Sequence, residues 1–275
     1  TKKVAAAASS SGGDPVYGNA DDPIRFAVSK LAHIHCATHK EYAENLINIG
    51  EEKFRVFFTG NPSYANIDST PNLELRSLFK GINISNENED YIVFIQHPLS
   101  SELDQTEKQI KTSLIALEKF CLTNNYIVIC ISPNSDPGSE IIRRYITEYE
   151  DKHWFYSFET LDHKHFVNLI RHSKALVGNS SMGILEAPHY KLPVVNIGAR
   201  QKGRFNAGNV VFVDNDANKI VTEIEKACLD TAYRTRVKKI KNPYGDGTAA
   251  KKIVDIIESI EVSDPNWYTK KRLVP

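Results

Sequence analysis

The residues best suited to bind a ligand lie in the stretch LVGNSSMGILE, residues 176–186. An apolar run ends there in Gly178-Asn-Ser-Ser181, and a helical pattern follows. Backbone amides at a helix start lack intrahelical partners and lie at the positive end of the helix dipole, so they can bind a phosphate group. Ser180 and Ser181 add hydroxyl donors, and Glu186, one turn later, can accept hydrogen bonds from sugar hydroxyls. An ordinary capped helix without a ligand is the alternative interpretation.

Two further groups of polar residues lie nearer the N-terminus. Asp21-Asp-Pro-Ile-Arg25 leads into a helical pattern, in which Pro23 suits the first turn and the aspartates suit the positive end of the dipole. Capping together with a surface arginine is sufficient to explain this segment by itself. His33 and His35 alternate with apolar residues in a predicted strand, but no third metal ligand lies nearby, so a metal site is disfavoured.

Strand and helix patterns alternate from Tyr91 to Leu229, which predicts βαβ units and a doubly wound parallel sheet. The run Tyr91–Ile95 is continuously apolar, as expected for a parallel strand that is buried on both faces. Ligands of such sheets bind at the carboxyl ends of the strands. The residues that follow the predicted strands are small, hydroxyl-bearing, polar or basic: Gln96-His97, Pro133–Asp136, Phe158-Glu159, Asn179–Ser181 and Gly198–Arg200. Their convergence on one edge predicts a phosphate-bearing ligand.

Composition and charge narrow the class of partner. The 275 residues suit one large or two modest domains, and 34 basic residues balance 34 acidic ones. The balance argues against a nucleic-acid or membrane-surface binder, and we find no apolar run of transmembrane length and no signal-peptide core. Four scattered cysteines without a C-x-x-C spacing are typical of reduced thiols, so we expect a cytoplasmic protein. The glycine-rich fingerprints of common NAD and ATP sites are absent.

Six sequence motifs are distributed along most of the chain. They are Asp21-Asp-Pro-Ile-Arg25, Thr59-Gly-Asn-Pro62, Gln96-His97-Pro98, Gly178-Asn-Ser-Ser181 with Glu186, Arg200-Gln-Lys-Gly-Arg204 and Asn242-Pro-Tyr-Gly-Asp-Gly247. In this order the set resembles the hydrolysing UDP-N-acetylglucosamine 2-epimerases, most closely the sialic-acid-pathway branch, which releases N-acetylmannosamine and UDP. The resemblance runs from about Asp14 to Ile260. It implies a GT-B-like α/β fold, in which two Rossmann-like domains face a cleft and the C-terminal one holds most of the nucleotide.

The resemblance also implies roles for individual residues. Ser180 and Ser181 would hold the diphosphate, Glu186 the ribose hydroxyls, and Arg200 and His97 would face the phosphates, with His97 near the sugar. The uridine pocket would be lined from the strand ends by Asn134, Asp136 and Phe158. Asp21 and Arg25 match acidic and basic positions that the family brings to the sugar, and Asp14 stands where the family's Gly-Gly-Glu motif has its glutamate.

The reaction implied by the family is an elimination followed by a hydration. Breaking the anomeric C–O bond leaves charge on UDP, which Arg200, the serines and the helix dipole would stabilise. Asp21 or Asp14 would remove the C2 proton, and water would add to the resulting glycal. The reaction implies a UDP-sugar substrate, no metal and no redox cofactor. We also expect a homo-oligomer, a dimer or a tetramer.

The front of the chain departs from the family pattern. The family has an N-terminal domain with an Arg-bearing loop and a further catalytic aspartate, whereas here only Lys2-Lys-Val4 is similar to its first strand and an Ala/Ser/Gly run follows up to Gly13. That composition is typical of a linker or of an engineered junction, so the fold prediction leaves the run out. We therefore expect residues 1–66 to form a partial N-terminal domain, 67–262 a complete UDP-binding domain with a doubly wound sheet, and 263–275 a tail.

Several functions agree with this interpretation. The chain as written is expected to bind UDP but to turn over poorly. An epimerase for UDP-N,N'-diacetylbacillosamine, a GT-B glycosyltransferase and a non-catalytic UDP-sugar-binding fragment remain as alternatives.

Overall fold

The computed structural model describes residues 8–9, 12–15, 21–85, 90–261, 264 and 267, of which residues 8, 9, 21 and 22 by their backbone alone. The predicted strand at Lys2–Val4 and most of the predicted tail lie outside these residues. The strands are β1 (Ala8–Ser9), β2 (Ile34–Ala37), β3 (Val56–Phe58), β4 (Tyr91–Ile95), β5 (Ile127–Ile131), β6 (Phe155–Phe158), β7 (Leu176–Gly178), β8 (Val194–Ile197) and β9 (Val210–Val213). The helices are α1 (Asp21–Leu31), α2 (Lys40–Asn48), α3 (Ser63–Ser69), α4 (Leu75–Gly81), α5 (Thr106–Asn124), α6 (Ser139–Thr147), α7 (His163–His172), α8 (Met182–Leu185), α9 (Ala217–Leu229), α10 (Thr231–Lys238) and α11 (Ala249–Ser259).

The chain divides into two compact units. The N-terminal unit contains the described residues up to Ser69 together with those from Asn242 onward, and the central unit contains Thr70–Lys241. Each unit has its own parallel sheet, with strand order β1-β2-β3 in the first and β6-β5-β4-β7-β8-β9 in the second. The predicted α/β class with parallel sheets is confirmed.

The core of the central unit follows directly from its apolar strands. All five residues of β4 are buried, and β4 lies between β5 and β7 in the sheet. Helix α5 buries Leu114 and Phe120 among other apolar residues in the same core. Strands buried on both faces need helices on both sides of the sheet, which the βαβ connections supply. Because neighbouring strands of this sheet are parallel, their carboxyl ends lie on one edge.

Local backbone geometry shortens two elements relative to their sequence patterns. The helical pattern of the sequence begins at Glu102, but Ser100–Gln105 is a 3-10 helix and α5 begins only at Thr106. Glu102 has φ −134° and ψ 34°, which no helix accommodates. The apolar pattern over 54–59 indicates a longer strand than β3, which begins only at Val56 because a 3-10 helix occupies Lys53–Arg55.

The N-terminal unit contains two elements that the sequence did not predict there. Strand β1 lies in the Ala/Ser/Gly run and pairs in parallel with β2, where Ala8 faces Ile34. The turn 242–247 and helix α11 belong to this unit, whereas they were predicted within the domain 67–262. Asn61 N donates a hydrogen bond to Tyr244 O at 2.7 Å, and Tyr244 is fully buried. These non-local contacts move the C-terminal segment into the N-terminal unit.

In the part of the chain that the structure describes, we find no helix that is both long enough and apolar enough to cross a bilayer.

Candidate functional site

The candidate site lies at the carboxyl edge of the central sheet, where three adjacent strands end. β4, β7 and β8 are neighbours, and the residues that follow them include His97, Asn179 and Arg200. Gly178 closes β7 with φ +125°, a conformation that side-chain-bearing residues rarely adopt. This turn directs Asn179 back toward β4, where the backbone N of Asn179 donates a hydrogen bond to Ile95 O at 3.0 Å.

Asn179 joins the ends of β4 and β7 through its side chain. Its Nδ2 donates to His97 O at 2.8 Å, and His97 N donates to Asn179 Oδ1 at 2.7 Å. Only 6% of Asn179 is exposed, so both hydrogen bonds satisfy buried polar groups. The pair fixes the backbone of His97 relative to the Gly178–Ser181 turn. The sequence placed Asn179 in the phosphate-binding motif but did not identify this bridging role.

The basic loop after β8 attaches to the same residue. Arg200 Nη1 and Gln201 Nε2 both donate to Asn179 O, each at 3.1 Å. Arg204 Nη1 donates to Gln201 Oε1 at 2.6 Å, and all three side chains are buried. The Arg-x-x-x-Arg spacing identified the loop, but Gln201 and Arg204 were not predicted as site residues. Two buried guanidinium groups therefore bring positive charge to this edge of the sheet.

The His97 imidazole is held in one protonation state. Asn134 N donates to His97 Nδ1 at 3.3 Å, so the neutral ring carries its proton on Nε2. Burial and then the positive charge of Arg200 lower the pKa of His97 to about 4, against smaller opposing effects of Asn134 and Asp136. His97 is therefore a neutral Nε2–H donor across the neutral pH range.

The three residues predicted to line a uridine pocket occupy the ends of β5 and β6. Asn134 contacts His97, and its Oδ1 accepts a hydrogen bond from Asp136 N at 3.3 Å. Phe158 ends β6, and its side chain lines a surface hollow with Ile82, Asn83 and Tyr156. The structure thus joins Asn134 and Asp136 to the His97 network, while Phe158 lines a different surface.

The predicted phosphate-binding helix is shorter than its sequence pattern indicated. α8 has four residues, and its regular hydrogen bonding ends before Pro188, which has no amide hydrogen. Such a short helix has a weak dipole, so the dipole contributes less to anion binding than we expected. Ser180 and Ser181 are half-buried before α8, with Ser180 Oγ accepting from Met182 N at 3.4 Å, and Glu186 directly follows α8.

The predicted sugar-facing residues lie in the N-terminal unit. Arg25 Nη1 lies 3.3 Å from Asp14 Oδ2, and Asp14 is only 6% exposed. Asn45 Nδ2 donates to Gly13 O at 2.9 Å, which fixes the backbone beside Asp14. Asp21 is the first residue of α1, but its side chain lies outside the described residues.

His33 and His35, the two histidines near β2, have different surroundings. His35 Nε2 lies 3.0 Å from Glu51 Oε2, with both side chains fully buried, while His33 is half-buried at the turn before β2. Lys30 Nζ lies 2.9 Å from the other oxygen of Glu51. Among the residues that the structure describes, no group of three or more His, Cys, Asp or Glu side chains is arranged to hold a metal ion.

The chain is similar to known proteins over most of its length. The family model described as "UDP-N-acetylglucosamine 2-epimerase" matches residues 9–258. A GDP/UDP-N,N'-diacetylbacillosamine 2-epimerase (hydrolyzing) of Campylobacter jejuni is 33% identical over 217 residues, which are 78% of this chain and 55% of the relative. A UDP-N-acetylglucosamine 2-epimerase of Neisseria meningitidis is 31% identical over 219 residues, again 78% of this chain and 55% of the relative. The chain thus spans about half the length of these relatives.

Solved structures support the same fold. A UDP-N-acetylglucosamine 2-epimerase of Neisseria meningitidis bound to UDP-GlcNAc gives a TM-score of 0.72 at 17% identity, covering 92% of this chain and 70% of the other. An S. aureus MnaA–UDP co-structure gives 0.73 at 19% identity, covering 97% and 69%. At these identities the likeness establishes the GT-B-like fold alone. Because the family model matches most of its length, this chain belongs to the UDP-N-acetylglucosamine 2-epimerase family.

Proposed function

We propose that the central unit binds the UDP moiety of a UDP-sugar at the carboxyl edge of its sheet. The observation that carries this proposal is the network in which Asn179 links the His97 backbone to the Arg200 guanidinium. This network places the buried Arg200 cation and the neutral His97 N–H donor beside the turn that carries two serine hydroxyls. Phosphate oxygens are the ligands that such donors bind most strongly.

Each residue has a distinct part in the proposed binding mode. Arg200 and the Ser180 and Ser181 hydroxyls contact the diphosphate, and His97 donates its Nε2–H to the phosphate nearest the sugar. Glu186, half-buried after α8, accepts hydrogen bonds from the ribose hydroxyls. Asn134, Asp136 and Phe158 line the uridine side in this proposal. For Phe158 this requires the uracil ring to reach the hollow that it lines on β6.

The proposed reaction is the hydrolysing 2-epimerisation of UDP-N-acetylglucosamine. The C2–H electrons form the C1=C2 bond of a glycal while the C1–O electrons leave with UDP, and Asp14 or Asp21 takes the C2 proton. Arg200 and His97 stabilise the negative charge that grows on the leaving group. Water then adds across the double bond, its hydroxyl to C1 and a proton to C2 on the opposite face. N-acetylmannosamine is the product.

A diacetylbacillosamine UDP-sugar is the second candidate substrate. Relatives named for either sugar have similar identity to this chain, 33% and 31%. An Escherichia coli polysialic acid biosynthesis protein P7 is 30% identical over 94% of this chain, and its name supports the proposal of a role in sialic acid synthesis. The homo-oligomeric state and the cytoplasmic location stay predictions.

A coupled assay for UDP release tests the proposed function. The chain would be incubated separately with UDP-N-acetylglucosamine and with the diacetylbacillosamine UDP-sugar, and the released sugar identified by NMR. We expect release of UDP and N-acetylmannosamine from the former, at a modest rate because Asp14 has a shorter reach than glutamate. We expect Asp14→Asn to reduce that rate by about 100-fold.

The other outcomes of this assay identify the alternatives. Release only from the second sugar would make the chain a diacetylbacillosamine epimerase. Transfer of the sugar to an added acceptor would indicate a glycosyltransferase. UDP binding without release of either sugar would contradict the proposed reaction and leave a binding protein.

A further inference from the structure

Gln201 lies in the loop after β8, and both ends of its side-chain amide are hydrogen-bonded. Its Nε2 donates to Asn179 O at 3.1 Å, and its Oε1 accepts from Arg204 Nη1 at 2.6 Å. The Gln201 side chain is fully buried, and Arg204 is only 4% exposed. Because solvent does not reach the amide, these two contacts decide its orientation.

Arg204 determines which end of the Gln201 amide faces Asn179. A guanidinium group carries only hydrogen-bond donors, so it selects the amide oxygen and leaves the NH2 group on the side of Asn179 O. The opposite orientation would place two oxygens against each other at Asn179 and two N–H groups against each other at Arg204. Since the contact between Arg204 and Gln201 is short and charge-assisted, it strongly favours the observed orientation.

The Asn179 carbonyl belongs to the peptide bond that leads into the Ser180-Ser181 turn. It accepts hydrogen bonds from Gln201 Nε2 and from Arg200 Nη1, both at 3.1 Å. A peptide unit is planar, so a carbonyl that is held on one side also fixes the direction in which the chain continues into Ser180. Gln201 therefore holds the same acceptor that orients the Arg200 guanidinium.

The buried charge of Arg204 is not needed for packing alone. Desolvation of a guanidinium is unfavourable, and a buried ion can often be replaced by an apolar side chain of similar volume without loss of stability. Methionine would fill a similar space but could not select the Gln201 oxygen. Arginine supplies what an apolar residue at this position does not, a donor directed at Gln201 Oε1.

We propose that Arg204 and Gln201 are positioning residues for the diphosphate of a UDP-sugar. Arg204 orients the Gln201 amide, and Gln201 holds Asn179 O. Through this carbonyl the pair keeps Arg200 and the Ser180-Ser181 turn in the geometry that receives the phosphate oxygens. The inference rests on the proposed function, in which Arg200 and the serine hydroxyls contact the diphosphate. Neither Arg204 nor Gln201 contacts the ligand itself.

The affinity of three variants for UDP tests whether Arg204 acts through Gln201. Arg204→Met and Gln201→Met each remove one side of the contact and keep an unbranched side chain. Calorimetric titration should give a Kd for UDP about tenfold higher in each, the effect of roughly one lost hydrogen bond. The double variant should bind no more weakly than the weaker single variant, because both changes break the same series of contacts. Losses that multiply in the double variant, or an unchanged Kd in either single variant, would overturn the inference.

Two further variants separate orientation of the amide from a merely structural role. Arg204→Lys keeps a cation that can only donate, so we expect its Kd to lie within about threefold of the wild type. Arg234 of α10 is half-buried and donates to Lys174 O at 2.9 Å and to Ala227 O at 2.8 Å. Arg234→Met removes a comparable guanidinium from the same unit, and it should lower the urea unfolding midpoint while the Kd for UDP stays unchanged. If Arg204→Lys binds as weakly as Arg204→Met, or if Arg234→Met also binds weakly, lost packing explains the effect and the inference is wrong.

Crystal structures without ligand test the geometry independently of the proposed function. We expect Arg204→Met to lose the hydrogen bond from Gln201 Nε2 to Asn179 O, with Arg200 Nη1 displaced from the same oxygen. Persistence of both hydrogen bonds in this variant would contradict the proposed role. If the wild-type chain does not bind UDP, the proposed function fails, while this comparison still decides whether Arg204 positions Arg200. If Arg204→Met does not fold, Gln201→Met replaces it, and an Arg200 guanidinium that stays on Asn179 O is then the contradicting result.

Discussion

Replacing Arg200 by alanine should weaken UDP binding by roughly 30-fold or more. A charge-assisted hydrogen bond to phosphate contributes about 2 kcal/mol or more when it is largely desolvated, which corresponds to this factor. Arg200 is only 9% exposed and donates to Asn179 O at 3.1 Å, so the guanidinium is already oriented before UDP binds. Calorimetric titration with UDP measures the change in Kd.

Two further variants define the cause of that loss. Arg200→Lys keeps the charge but loses the planar fork, and we expect an intermediate affinity. Arg144→Ala removes an exposed arginine of α6 that stacks on Tyr145, and UDP affinity should stay as in the wild type. NMR should also find a higher pKa for His97 in Arg200→Ala, because the nearby positive charge lowers it. If Arg200→Ala and Arg144→Ala bind UDP with equal Kd values, Arg200 does not contact UDP and the prediction is wrong.

Replacing Gly178 by alanine should destabilise the central unit by about 3 kcal/mol or more. The φ of +125° is strained for alanine, and its Cβ would lie 2.0 Å from Ile95 O, a contact that forces the backbone apart. Ile95 O is the acceptor of the Asn179 amide, so the displacement breaks the link between β4 and β7 as well. Urea unfolding would measure the loss as a lower midpoint.

Gly208→Ala is the matched control for this variant. Gly208 also has a positive φ, +89°, but no atom lies within 4 Å of a Cβ built there. We expect only the conformational cost, about 1 kcal/mol. Unfolding midpoints that fall equally in both variants would mean that the close approach to Ile95 does not hold the turn.

The regular elements were predictable where local pattern and tertiary burial agree. β4 has the bounds that its continuous apolar run predicts, and α7 and α9 each begin after an aspartate whose side chain caps the helix. The predicted strands also gave the positions of their carboxyl ends. His97, Asn179 and Arg200 meet at the edge that these ends form. That edge depends only on the alternation of strands and helices.

Other features depend on contacts between distant residues, which a pattern does not contain. The bridge from Asn179 to His97 spans 82 positions, and the link from Tyr42 to Tyr244 spans 202. The length of α8 also could not be predicted, since its polar start and apolar run suit a longer helix. Gln201 was not predicted as a site residue, because a glutamine in a basic loop is ordinarily exposed to solvent. Here its side chain is fully buried.

A co-crystal structure of this chain with UDP tests the central claim most directly. We predict the diphosphate at the ends of β4, β7 and β8, with an oxygen within hydrogen-bond distance of the Arg200 guanidinium and of the Ser180 or Ser181 hydroxyl. His97 Nε2 should point toward the terminal phosphate. A UDP molecule bound at another surface, with Arg200 and the Ser180-Ser181 turn empty, would contradict the account.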